Sequence, residues 1–145
     1  MKFINPKRIR FHHCDPAGIV FYPQYYYLLH ETQEDFFSHI HFSLYSMIDK
    51  GCGIPIVDMR TQFSGMCRQG DDVIIELHLS KIGGSSMTME YEIYGPNQNK
   101  NIERELKLKA TGTIVYIELQ SNRAQKIPEE LRTALTPYLE VPKHA

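Results

Sequence analysis

The sequence predicts an α+β fold in which one long helix faces one antiparallel sheet of about five strands. Two observations carry this prediction. Apolar residues recur at helical spacing between Tyr22 and Ile40, and from Gly53 onward hydrophobicity alternates with period two almost throughout. The runs of alternation are joined by short Gly-, Pro- and Asn-containing segments, which favours neighbouring strands paired antiparallel in a meander. A chain of 145 residues has room for one such pair of layers, so residues 1–145 are read as a single domain.

The elements follow in chain order. Lys7 to His13 alternates, with Ile9, Phe11 and His13 on one face, and predicts a half-buried strand. Asp15-Pro16-Ala17-Gly18 interrupts it. Tyr22, Tyr26, Leu29, Phe36 or Phe37, and Ile40 then form the apolar stripe of a helix, with Pro23 in its first turn, where a missing N–H costs nothing. Gln33 is the one polar residue in that stripe. Residues 43–50 predict a short second helix ending at Gly51 and Gly53.

Val73, Ile75, Leu77 and Leu79 share one strand face, as do Met87, Met89, Tyr91 and Ile93. Leu106, Leu108, Ala110, Gly112, Ile114 and Tyr116 continue the pattern. Gly83-Gly84 and Gly95-Pro96-Asn97 are the predicted turns between these strands. Pro128-Glu129-Glu130 opens a terminal helix, with acids in its positive first turn. A single helix covers only one face of the sheet, so an edge or face is left for a partner, and an oligomer is expected.

Composition removes whole classes of function. Sixteen Lys and Arg against seventeen Asp and Glu give a net charge of -1, so no global positive field draws the chain to nucleic acid or anionic lipid. Three cysteines, Cys14, Cys52 and Cys67, form no disulfide framework and fit a reducing compartment. Neither a secretory signal nor a membrane-length apolar run is found, so a cytoplasmic location is expected.

The chemistry concentrates in Cys14-Asp15-Pro16-Ala17-Gly18-Ile19-Val20-Phe21-Tyr22-Pro23. Asp15 precedes the helix start by one loop, and that loop is too apolar to be an ordinary solvated linker. A helix N-terminus offers unpaired N–H groups and partial positive charge, which suits a developing oxyanion. A carboxylate beside it can attack a carbonyl or activate water. Other residues read more plainly. His12, His13 and Cys14 lack a second ligand pair at useful spacing, so no metal site is expected. Cys14 without a positioned base reads as packing, Glu31 and Glu34 as solvated or paired residues, and Tyr25-Tyr26-Tyr27 as core and interface.

The Cys14–Pro23 run resembles the active-site segment of the 4-hydroxybenzoyl-CoA thioesterase family, whose hotdog fold wraps an antiparallel sheet around a long helix. Gly53-Ile54-Pro55-Ile56-Val57, Gly70-Asp71-Asp72-Val73 and Gly84-Ser85-Ser86 extend the resemblance over most of residues 7–119. It implies an acyl-CoA thioesterase in which Asp15 is nucleophile or general base and the Tyr22 backbone N–H polarises the thioester carbonyl. By the same resemblance Gly18 would make the turn that brings these two together. Phe21 and Val20 would line the acyl pocket, while His13, Ser86 and Lys81 would contact substrate.

The resemblance further implies a homodimer or homotetramer with sites between subunits, in which the Ile56–Phe63 strand belongs to the dimer contact. Coenzyme A enters as part of the substrate, and no separate cofactor is expected. The family's defining enzyme carries several basic residues where this chain has Lys81-Ile82-Gly83-Gly84-Ser85-Ser86. The acyl group is therefore left open between aromatic, such as 4-hydroxybenzoyl, and short or medium aliphatic. Two further readings of the same fold stand beside the leading one: a thioesterase acting on acyl carrier protein, and a non-catalytic binder of acyl thioesters. A hydratase is disfavoured because its Asp and His motif is absent.

Overall fold

A computed structural model describes residues 1–141, leaving the last four residues of the predicted 1–145 domain outside the described part. Strand β1 is Phe3–Arg8, followed by helices α1 (Pro23–His39) and α2 (Leu44–Asp49). Next come β2 (Cys52–Gly53), β3 (Ile56–Phe63), β4 (Asp72–Ile82), β5 (Ser86–Asn97) and β6 (Ile102–Val115). Two short strands, β7 (Ile117–Glu118) and β8 (Arg123–Ala124), precede α3 (Glu129–Leu135). The main sheet has five strands in the order β1-β4-β5-β6-β3, every neighbouring pair antiparallel, as the fold prediction requires.

The alternation that predicted β4, β5 and β6 is the burial pattern of the sheet. Val73, Ile75, Leu77, Leu79, Met87, Met89 and Ile93 are all at or below 1% exposure on the face that meets α1. α1 closes that face with Tyr25, Leu28, Leu29, Phe36 and Phe37. Phe36 is packed from three sides, by Phe3, Phe37 and Tyr138. Ser43 caps α2 by accepting the Ser46 N–H, which explains why that short helix starts where it does. No helix among the described residues is long and apolar enough to cross a membrane.

Four local expectations are corrected. The first strand is Phe3–Arg8 and not Lys7–His13: residues 11–13 form a tight 3-10 turn in which the His13 imidazole accepts the Arg10 N–H. That side-chain bond offers the backbone an alternative to the ladder, and Phe11 is left 80% exposed. Pro6 is tolerated because β1 is an edge strand. The helix stripe is rotated as well: Tyr25, Leu28 and Thr32 are buried, while Tyr22 and Tyr26 stand outside the core. Four tyrosines near the helix start make several phases look apolar, and only packing selects one.

The Gly95-Pro96-Asn97 segment lies within β5, and the chain reverses at Gln98–Asn101 instead. Gly95 serves close packing there, since a Cβ would stand 3.1 Å from Val73 Cγ1. The meander also holds only for β4, β5 and β6. β3 pairs with β6 on the far edge, so residues 64–71 must cross the end of the sheet to reach β4. This crossing passes beneath the start of α1 and becomes the platform of the site.

Candidate active site

The site is built on the crossing segment. Cys67 is fully buried, its N–H donates to the Tyr25 hydroxyl at 3.2 Å, and its carbonyl accepts the Val20 N–H at 3.0 Å. Gln69 N–H donates to Gly18 O, and Ile19 bridges to Arg68. Residues 13–21 fold on this platform as a small hairpin. Phe21 N–H donates to His13 O, Cys14 bridges to Val20, and Asp15 N–H donates to Ile19 O at 3.0 Å. Gly18 N–H closes the tip on Asp15 O at 2.9 Å. Gly18 has φ +80°, a conformation L side chains rarely adopt.

The hairpin therefore positions Asp15 by its own backbone. The Asp15 side chain is half-buried, with one oxygen, Oδ1, accepting the Ala17 N–H at 2.9 Å. The other, Oδ2, accepts no hydrogen bond among the described residues, which leaves it open to substrate or water. At the hairpin's exit, Tyr22 is the residue before α1 and Pro23 has no N–H. Among the described residues the Tyr22 N–H donates to no acceptor, so the start of the helix presents a free donor. A carboxylate and a helix-start donor thus come from a single hairpin and its exit.

The other predicted site residues are distributed differently. His13 lies beneath the hairpin, 5% exposed, with Nδ1 already accepting from Arg10. Burial lowers its affinity for a proton. The His12 and His13 rings lie 4.1 Å apart on the 3-10 turn, so they do not occupy opposite faces of a strand. Val20 is 7% exposed and packs into the core, so it does not line an open acyl pocket. Phe21 is 51% exposed, its ring beside that of Tyr22. Burial pushes the Cys14 thiol up, away from the thiolate a nucleophile would need. Glu31 pairs with Lys7 at 3.1 Å, and Glu34 faces His30 at 3.8 Å.

Ser86 and Lys81 are not brought to Asp15 within one chain. Both lie at the Ile82 end of the β4–β5 hairpin, whereas the Asp15 hairpin leans on the Asp72 end through Ile9, Gly70 and Asp71. β4 separates the two ends by roughly 33 Å at ~3.3 Å per residue. Nor are the Gly83 and Gly84 carbonyls free: Arg132 donates to Gly83 O at 2.7 Å, and Ile127 N–H donates to Gly84 O at 2.9 Å. Of the other cations near the sheet, Arg104 is held by Glu76 and stacked on Tyr94, and Lys107 is buried against Glu105.

Sequence reasoning missed a large apolar opening. A cavity of about 570 Å³ lies between α1, α2 and the β2–β3 segment, lined by Leu29, Gln33, Met47, Ile54, Met59 and Tyr91 among others. Tyr26, one turn along α1 from Tyr22, stands at its wall and donates to Thr61 Oγ1 at 3.0 Å. Two sequence signals pointed here: Gln33 as the polar residue in the helix stripe, and the Gly53–Val57 segment.

Comparison with known proteins places this geometry in context. A family profile described as the thioesterase-like superfamily matches residues 9–135. A 1,4-dihydroxy-2-naphthoyl-CoA hydrolase from Synechocystis sp. is 24% identical over 134 residues, covering 92% of this chain and 94% of that protein. The crystal structure of a 1,4-dihydroxy-2-naphthoyl-CoA thioesterase from Synechocystis shares the fold with a TM-score of 0.84 at 23% identity, covering 94% of this chain and 96% of the other. A 4-hydroxybenzoyl-CoA thioesterase mutant complexed with 4-hydroxybenzoyl-CoA shares it with a TM-score of 0.81 at 22% identity, covering 92% of this chain and 98% of the other.

Proposed function

The chain belongs to the thioesterase-like superfamily and is a thioester hydrolase, and from this premise we propose that it hydrolyses an aromatic acyl-CoA to the free acid and coenzyme A at Asp15. The observation that carries the proposal is the hairpin that fixes an Asp15 oxygen with no partner and a free Tyr22 N–H on one short piece of chain. The Tyr22 N–H donates to the thioester oxygen and stabilises the negative charge that gathers there. Asp15 either attacks the carbonyl carbon or takes a proton from the water that attacks it. In the first route the carbon–sulfur bond breaks, coenzyme A leaves as thiolate, and water opens the mixed anhydride. In the second, hydroxide adds directly. A thiol of pKa about 8.5 leaves without a strong acid, so two groups suffice.

An aromatic acyl group is favoured by the cavity between α1, α2 and the β2–β3 segment, which is large, apolar and walled by Tyr26 and Tyr91. The relatives that act on 1,4-dihydroxy-2-naphthoyl-CoA support the same class. The active unit is a homodimer or a larger homo-oligomer, working in the cytoplasm. β3 is an open edge whose Ile56, Val57 and Phe63 are 51%, 61% and 48% exposed. Its Phe63 end packs against Tyr22 and Tyr25, while its Ile56 end pairs with Ile114, level with Met87. Two such edges paired antiparallel across a twofold axis carry the Ser86 end of one copy to the Asp15 hairpin of the other.

The test is thiol release from a panel of aromatic and aliphatic acyl-CoAs by the wild type and Asp15→Asn. The expected result is release from aromatic thioesters that falls at least about a hundredfold in the variant, with substrate affinity retained. Release that survives in Asp15→Asn would refute the assignment. Retained binding without turnover in the wild type would favour an acyl-thioester binder instead.

A further inference from the structure

Cys67 is bonded through both of its backbone groups. Its carbonyl accepts the Val20 N–H at 3.0 Å, which holds the hairpin, and its N–H donates to the Tyr25 hydroxyl at 3.2 Å, which holds α1. Among the described residues the second is the only hydrogen bond between α1 and residues 64–71. Tyr25 is the third residue of α1, and its own N–H donates to Tyr22 O at 3.1 Å, so its ring and the helix start form one piece. That ring is 4% exposed and packs on Phe63 with centroids 5.8 Å apart. Phenylalanine would fill the same space without a hydroxyl to bury. The hydroxyl meets a need of its neighbour instead: Cys67 is fully buried, and its N–H has no water to bond. The Cys67 thiol lies against the same hydroxyl, and burial pushes the phenol above its ordinary range, so it stays a neutral hydroxyl at working pH.

We propose that Tyr25 is a positioning residue for hydrolysis: through Cys67, its hydroxyl sets the start of α1, and with it the Tyr22 N–H, against the hairpin that carries Asp15. The link is short. Val20, held by Cys67 O, bridges to Cys14, the residue before Asp15, and the Gln69 N–H holds the hairpin tip at Gly18 O. Without the hydroxyl, the hairpin keeps its bonds to the platform and α1 keeps its apolar face on the sheet. What loosens is the joint at Phe21 and Tyr22, where small backbone rotations change the separation of the acid from the donor. One thioester carbonyl must meet both groups at once, the acid or its water at carbon and the N–H at oxygen. A misplacement of about 1 Å lowers such a rate by about a hundredfold. Tyr25 itself touches neither substrate nor reacting atoms. The inference rests on the thioesterase reading and deepens it, by naming what holds its two groups in register.

The experiment compares the wild type, Tyr25→Phe and Thr32→Val by thiol release and by amide hydrogen exchange. Thr32→Val is the control. It also removes a buried hydroxyl from α1, but one that donates to Leu28 O at 2.9 Å and accepts from Asn5 at 3.2 Å on the β1 side. Thermal melts set an assay temperature at which all three proteins are folded. Tyr25→Phe is expected to lower kcat at least about tenfold with KM within about threefold of the wild type, while Thr32→Val keeps kcat within about twofold. A Tyr25→Phe protein that loses Tm but not kcat, or equal losses of kcat in the two variants, overturns the proposal. Exchange tests the joint without turnover, and in the wild type alone should Tyr25→Phe not fold. The Cys67 and Val20 N–H groups of the wild type are expected to open together, with one common protection factor, and both to exchange at least about tenfold faster in Tyr25→Phe. Wild-type turnover with these two amides opening independently overturns the proposal and leaves the enzymatic reading standing. No thiol release from any wild-type assay, with the two amides opening together, sinks the enzymatic reading and leaves the joint standing.

Discussion

At the scale of single residues, the site depends on a few backbone positions held in unusual geometry. Gly18 has φ +80°, yet a Cβ there would meet nothing within 4 Å. Gly18→Ala therefore tests conformation alone, without a steric clash. It should cost about 1 kcal/mol of stability and lower turnover by shifting the hairpin tip, seen as a reduced Tm together with a reduced kcat. His13 gives a pH prediction. Burial lowers its pKa below the unfolded value of 6.5, so the folded state prefers the neutral ring that accepts the Arg10 N–H. Its contribution to stability is full above about pH 6.5 and is lost as pH falls through the lower folded pKa. Melting at pH 7.5 and 5.5 should show a lower Tm for the wild type at the acid pH. His13→Asn should start from a lower Tm and decline less. Parallel curves would remove His13 from the account.

At the scale of elements, α1 does two jobs that call for different residues. Its inner side is core, and Phe36, fully buried among Phe3, Phe37 and Tyr138, anchors it. Phe36→Ala should cost about 3–5 kcal/mol, read as a loss of denaturant midpoint at unchanged slope. Its other side forms a wall of the cavity with Tyr26, Gln33 and His30. This division explains why the helix was legible and its buried stripe was not. Helical spacing survives any rotation of the stripe, but with aromatics at positions 22, 25, 26 and 27 the phase depends on what packs against them. Strands β4 to β6 posed no such problem, because a period of two allows only two faces and only one of them was apolar.

At the scale of the whole molecule, the open β3 edge and the distance between Asp15 and Ser86 belong to one problem. A single chain holds Asp15 and the start of α1 at one end of the sheet, and the Gly83–Ser86 turn at the other. A second copy paired through β3 would close that gap. Light scattering at micromolar concentration should report a dimer or larger. Specific activity should fall on dilution through the dissociation range. Replacing Val57 by Lys, at an exposed position on that edge, should weaken the assembly and lower activity in parallel while leaving the monomer folded. A fully active monomer would mean that Ser86 and Lys81 take no part in the site.

The sequence by itself determined the α+β class, the long helix, the strands of the central meander and the break at Asp15–Gly18 ahead of that helix. These are local or periodic properties, written in residue spacing and in the demand of Gly18 for its turn. Tertiary structure decided the rest. It moved the first strand to Phe3–Arg8, because a side-chain bond from His13 captured the backbone that alternation assigned to a ladder. It sent β3 to the far edge, so that residues 64–71 became the platform of the site. It also gathered Gln33, Met59 and Tyr91 around one cavity, although they lie far apart in the chain. The physical reason is that spacing records which face of an element is apolar. Which elements meet across that face depends on the packing of the entire chain.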